Sequence, residues 1–100
     1  MVKRKLQIQK IKENCIEEYK NAHKNIWPEL LKEYKEAGFI NISCFLNGQD
    51  LYVYMEYDED LLYERSKHPM PIDVKWQEYM DTLKIEMPAK EEPLEVYRMK

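Results

Sequence analysis

Glycine is nearly missing from this chain, with only Gly38 and Gly48 in 100 residues. Loops that cradle phosphate need several closely spaced glycines so that backbone can approach the ligand, so a phosphate-binding loop of that kind is excluded. Cysteine is equally sparse. Cys15 and Cys44 are read as reduced thiols, and no apolar stretch of the secretory type follows the basic cluster Lys3-Arg4-Lys5, so a cytoplasmic protein is expected. Two His and two Cys without close pairing do not supply the three or four ligands of a recognisable metal site, and none is expected. No apolar run approaches the roughly 18 residues of a membrane helix, so no membrane partner is expected either. An excess of one charge is also lacking. Sixteen basic and nineteen acidic residues leave a net charge of −3, which argues against a nucleic-acid-binding surface.

What is present is an ordinary globular composition, 44% hydrophobic and 35% charged, in a length suited to one domain over residues 1–100. Eight Tyr stand against two Phe. A tyrosine combines apolar bulk with a polar tip and suits a wet pocket or a subunit interface. Lys5–Ile11 alternates Leu6 and Ile8 with Gln7 and Gln9, the period of a half-buried strand. Asn14 and Glu17 have the spacing of a helix cap and its capping-box partner. Pro28 predicts a helix break and restart after Trp27, and Gly38 a C-terminal cap. Asn47-Gly48-Gln49-Asp50 separates two strand-like runs, Phe39–Leu46 and Leu51–Asp58, as in a hairpin. A short helix over Glu59–Lys67, a longer one over Ile72–Ile85, a loop framed by Pro88 and Pro93, and a last strand over Leu94–Met99 complete the chain.

Strand, helix, strand, strand, helix, strand is the order of a ferredoxin-like βαββαβ protomer, an α+β fold with an antiparallel four-stranded sheet and helices on one face. The other sheet face would carry large side chains in water, so a homodimer that buries it is expected.

Residues 16–31 hold the chemistry. Tyr19 and His23, four residues apart, project from one helix face, and Trp27 follows one turn later. A histidine can give and take protons near neutral pH, a phenol can hold a ligand hydroxyl, and an indole can stack on one. These parts suit a small polyhydroxylated ligand, although a histidine on such a face is commonly a packing residue. Cys15 is excluded as a nucleophile served by His23, because eight helical residues separate them by roughly 12 Å. Trp76, Tyr79 and Met80 read as a buried helix face. His68 reads as a solvent-exposed residue in a proline-bracketed loop.

The segments Glu18-Tyr19 with His23, Asn25-Ile26-Trp27-Pro28-Glu29-Leu30, Trp76 with Tyr79-Met80, Met87-Pro88-Ala89 and Leu94-Glu95-Val96-Tyr97 resemble the L-rhamnose mutarotase family over nearly the whole chain. The resemblance implies a dimeric α/β barrel that interconverts the α and β anomers of a monosaccharide without a cofactor. It makes His23 the proton donor and Tyr19 and Trp76 substrate-binding residues. Two positions depart from the family pattern. Gln77 replaces the second of two adjacent tryptophans, and Ile42 replaces a substrate-binding tyrosine. Both leave the acid/base in place and bear on substrate identity. Whether Trp27 lines the site or only pins the helix break stays open at this level. A ligand-binding barrel without catalysis and a cofactor-free monooxygenase-like barrel are the competing readings.

Overall fold

The computed structural model describes residues 1–87 and 91–99. Strand β1 covers Val2–Ile11, helix α1 Ile16–Lys24, α2 Pro28–Ala37, β2 Phe39–Asn47, β3 Asp50–Asp58, α3 Glu59–Ser66, α4 Pro71–Leu83 and β4 Lys84–Ile85. The four strands form one antiparallel sheet in the order β2-β3-β1-β4, which is the ferredoxin-like arrangement.

Local signals place most of the boundaries. Pro28 occupies the first turn of α2, where its missing N–H has no intrahelical partner to lose. Gly38 ends that helix at φ 110°, and a Cβ there would stand 2.8 Å from the Leu61 Cβ, so both conformation and space demand glycine. At the hairpin Asn47 pairs with Asp50, and Gly48, at φ 63°, takes the first central position of a two-residue turn. Asp58 caps α3 by accepting the Leu61 N–H at 3.0 Å.

Three expectations are corrected. Asn14 does not cap α1. A single 3-10 turn over Glu13–Cys15 precedes the helix, no side chain caps it, and the Asn14 side-chain oxygen Oδ1 instead accepts from the Cys15 thiol at 3.4 Å. The last helix stops at Leu83, because Lys84 and Ile85 pair with Ile11 and Lys10 as β4. Leu94–Met99 forms no strand. Ile8 bridges Glu91, and Arg4 pairs with Glu95, so the tail follows the β1 edge beyond β4 without a hydrogen-bonded ladder. Pro93 can donate no ladder hydrogen bond, and Leu94, Val96, Tyr97 and Met99 lie exposed. Pro88 and Ala89 fall outside the described residues.

Register decides which face of the sheet meets the helices. Gln9 stands opposite the fully buried Leu51, Gln7 opposite Val53, and Cys44 opposite Val53 on its other side. Gln7 and Gln9 therefore share the helix-covered face with Ile11, which is also fully buried. Leu6, Ile8, Phe45, Tyr52 and Tyr54 lie on the opposite face. The polar members of the alternation in β1 point under the helices, and its apolar members point away. Ile40 falls at an irregularity between Phe39 and Asn41 and is exposed, so it does not continue the row of Ile42, Cys44 and Leu46.

The core joins Ile11, Leu30 and Leu51 with Tyr19, Trp76, Met80 and Leu83. Side-chain contacts also fasten the helices to one another. The Tyr79 hydroxyl donates to Glu18 Oε2 at 3.1 Å, and Arg65 pairs with the buried Glu33. No helix of the described residues is long and apolar enough to cross a membrane.

Candidate active site

A cavity of about 650 Å³ opens between the helices and the sheet, within the range of roughly 300–1,000 Å³ usual for small-molecule sites. Helix α1 places Tyr19 and His23 on its wall, and α4 adds Trp76 and Gln77. Ile42 comes from β2. The five sequence-selected residues other than Trp27 thus meet at one cavity.

Trp27 is not among the lining residues. Its ring stands edge-on to Trp76 at 5.0 Å and stacks on Tyr79 at 6.3 Å, and the Lys75 ammonium lies over the Trp27 ring, 5.7 Å from its centroid. It braces Trp76 from behind. Trp76 is nearly fully buried, and its ring meets the imidazole of His23 edge-on at 5.3 Å. The Tyr19 ring also contacts His23, at 4.2 Å and tilted by 32°. The imidazole therefore packs against two aromatic rings.

His23 Nδ1 lies 3.0 Å from the backbone carbonyl oxygen of Tyr19, one turn earlier on the same helix. A carbonyl can only accept, so Nδ1 carries the proton and the neutral ring keeps its lone pair on Nε2. Burial is the largest influence on the His23 pKa and lowers it below the usual value. The Tyr19 carbonyl opposes this, and the charge of Lys84, also on the cavity wall, adds to the lowering. At neutral pH the ring is uncharged and ready to take a proton.

Tyr19 behaves differently. Burial raises its phenol far above the ordinary tyrosine range, and the Cys44 thiol beside it raises it further. Such a phenol keeps its proton and is chemically able to hydrogen-bond a ligand.

The lining residues that the sequence reading did not select as site residues include Gln9, Tyr34, Cys44 and Lys84. Cys44 could have been found from its place two residues after Ile42, on the same face of a strand. Gln9 shares parity with the buried Ile11 and could have been found the same way. Tyr34 and Lys84 come from separate elements and carry no local signal. The Tyr34 hydroxyl accepts from Gln77 Nε2 at 3.1 Å, and the same amide nitrogen reaches Asp73 Oδ1 at 3.4 Å. Burial first and then Asp73 raise the Tyr34 pKa. Gln77 thus offers no ring to a ligand, but it fixes a phenol at the cavity wall on which Ile42 supplies no hydroxyl.

The family model for L-rhamnose mutarotase matches residues 4–99. An L-rhamnose mutarotase of Enterococcus faecalis is 34% identical over 68 residues, covering 66% of this chain and 65% of that protein. One from Lactiplantibacillus plantarum is 32% identical over 80 residues, covering 77% of this chain and 75% of that protein. The matched stretch therefore spans slightly less than two thirds of the Enterococcus protein. A crystal structure of L-rhamnose mutarotase from Formosa agariphila superimposes with a TM-score of 0.78 at 23% identity, over 98% of this chain and 99% of that one. A dimeric ferredoxin-like protein from an uncultured marine organism gives 0.61 at 18% identity, over 100% and 99%. These structures share its fold, and with the match over residues 4–99 the chain belongs to the L-rhamnose mutarotase family.

Proposed function

We propose that this protein is a mutarotase that interconverts the α and β anomers of L-rhamnose or a related reducing deoxy sugar. The observation that carries the reading is the hydrogen bond from His23 Nδ1 to the Tyr19 carbonyl, which leaves Nε2 as a neutral base at a sugar-sized cavity. Nε2 takes the proton of the anomeric hydroxyl while the bond between the anomeric carbon and the ring oxygen breaks. The imidazolium then gives that proton to the ring oxygen, leaving the open aldehyde and a neutral ring. Rotation of the carbonyl exposes its other face, and the reverse transfers close the opposite anomer. Tyr19 orients the sugar, and Trp76 presents its indole to an apolar sugar face. No net proton, electron or group is exchanged.

The sign of the pH dependence follows from the depressed His23 pKa. Protonation removes the base, so exchange should rise with pH and level off, with its inflection below the ordinary histidine value of about 6.5. Lys84→Met removes one cause of the depression and should move the inflection upward. Stability has the same sign, because the unfolded chain binds the His23 proton more readily, so this group destabilises the fold progressively below about pH 6.5. A pH profile of anomer exchange for both proteins checks the reading. A flat profile, or an inflection unmoved by Lys84→Met, contradicts it.

A homodimer fits the same reading. Leu6, Ile8, Phe45, Tyr52 and Tyr54 crowd the sheet face that carries no helix, beside the exposed apolar tail at 94–99. Two such sheets packed face to face would bury this surface as a dimeric α/β barrel. Leu94→Asp with Val96→Asp should shift the protein toward monomer in analytical ultracentrifugation; an unchanged dimer would place the tail outside the interface.

The binding-only reading draws on Ile42, which brings no hydroxyl to the cavity. Anomer exchange with any sugar separates the two.

A further inference from the structure

We propose that Gln9 is a specificity-determining residue, its side-chain oxygen accepting a hydrogen bond from one hydroxyl of the bound sugar. This rests on the sugar-binding reading of the cavity and extends it to a residue on β1.

The inference comes from a chain of side chains whose direction is fixed at one end. Glu92 Oε1 accepts from Lys5 Nζ at 3.2 Å and from Gln7 Nε2 at 3.1 Å. A carboxylate only accepts here, so Gln7 must turn its nitrogen toward Glu92 and its oxygen the other way. That oxygen accepts from Gln9 Nε2 at 3.3 Å. Reversing the Gln9 amide would set oxygen against oxygen. The nitrogen of Gln9 is thereby committed to Gln7, and its Oε1 is the group left over.

Oε1 of Gln9 is buried and has no hydrogen-bond partner among the described residues. A buried acceptor without a partner is destabilising and uncommon, and a ligand donor in the adjoining cavity would supply the missing bond. Gln9 lines the same cavity as His23 and Trp76. The last side-chain torsion of a glutamine is soft, so a small rotation presents the oxygen to a donor in the cavity. The donor it selects is a hydroxyl, since an ether oxygen or a deoxy carbon offers it nothing. Gln9 therefore reads the pattern of hydroxyls on the sugar.

The test is the affinity of wild type, Gln9→Met and Gln7→Met for L-rhamnose and its 2-, 3- and 4-deoxy derivatives, followed by ligand titration in NMR. Methionine keeps the length of the side chain and removes the acceptor. Gln9→Met should bind L-rhamnose about 3- to 10-fold more weakly, the scale of one net hydrogen bond. The one derivative lacking the contacted hydroxyl should bind wild type and Gln9→Met alike, an outcome a general packing defect would not produce. Gln7→Met, which releases the amide without removing it, should lose less. Equal L-rhamnose affinity in wild type and Gln9→Met overturns the proposal, as does an equal loss for all three derivatives. Sugar binding without anomer exchange would reject the catalytic reading alone and leave the role of Gln9 decided by affinity. No binding of any of these sugars by wild type would reject both.

Discussion

His23→Ala is expected to lower enzyme-dependent anomer exchange by roughly 10²- to 10⁴-fold, the contribution of a positioned general acid/base. The Cys44 thiol at the cavity is a poor substitute, because burial raises its pKa. Tyr19 and Tyr34 hold their protons more tightly than ordinary phenols, because burial disfavours the phenolate of both. Lys84 carries a charge of the wrong kind for a base at neutral pH. The substitution should leave the fold largely intact. His23 is only half-buried, and its side chain contributes one hydrogen bond, to the Tyr19 carbonyl one turn earlier on its own helix. A thermal melt within a few degrees of wild type, together with lost exchange, is the predicted pair of results. Exchange retained within a factor of ten would remove His23 from the mechanism.

Trp76→Ala should have the largest effect on stability. The indole is 4% exposed and meets the rings of His23, Trp27 and Tyr79, so truncation leaves a large void among groups held by separate helices. Replacing a buried tryptophan by alanine costs about 3–5 kcal/mol. Against a total stability of roughly 5–15 kcal/mol for a domain, that is a large fraction. Trp76→Phe keeps most of the contact and should lose markedly less. Urea titration of the two variants measures the difference. A loss below about 1 kcal/mol for Trp76→Ala would mean that Trp27 and Tyr79 close over the gap, and that Trp76 does not organise the wall behind His23.

Much of this was readable in the residues, for identifiable reasons. Pro28, Gly38 and Asn47-Gly48 are backbone devices whose effect is local, so the helix restart, the cap and the hairpin fall where they were expected. Tyr19 and His23 lie on one helix, and helical spacing fixes their relation. Other features depend on neighbours distant in sequence. The alternation in β1 shows two faces but not which of them meets the helices, and here the glutamines face the cavity while Leu6 and Ile8 face outward. Helical periodicity extends to Ile85, yet pairing with Ile11 and Lys10 takes over at Lys84. The tail has the composition of a strand but follows the sheet edge with its apolar side chains exposed, and alternation alone does not show whether a ladder forms. Trp27 matches the family as clearly as Trp76 does, but only the packing shows that it stands behind the wall rather than on it.

The most direct test of the central claim is saturation transfer between the anomeric proton signals of L-rhamnose with a catalytic amount of wild-type protein, repeated with L-fucose. Magnetisation should pass between the α and β signals of at least one sugar at a rate proportional to protein concentration. Transfer no faster than in buffer, for either sugar and across the pH range in which His23 is neutral, would contradict it.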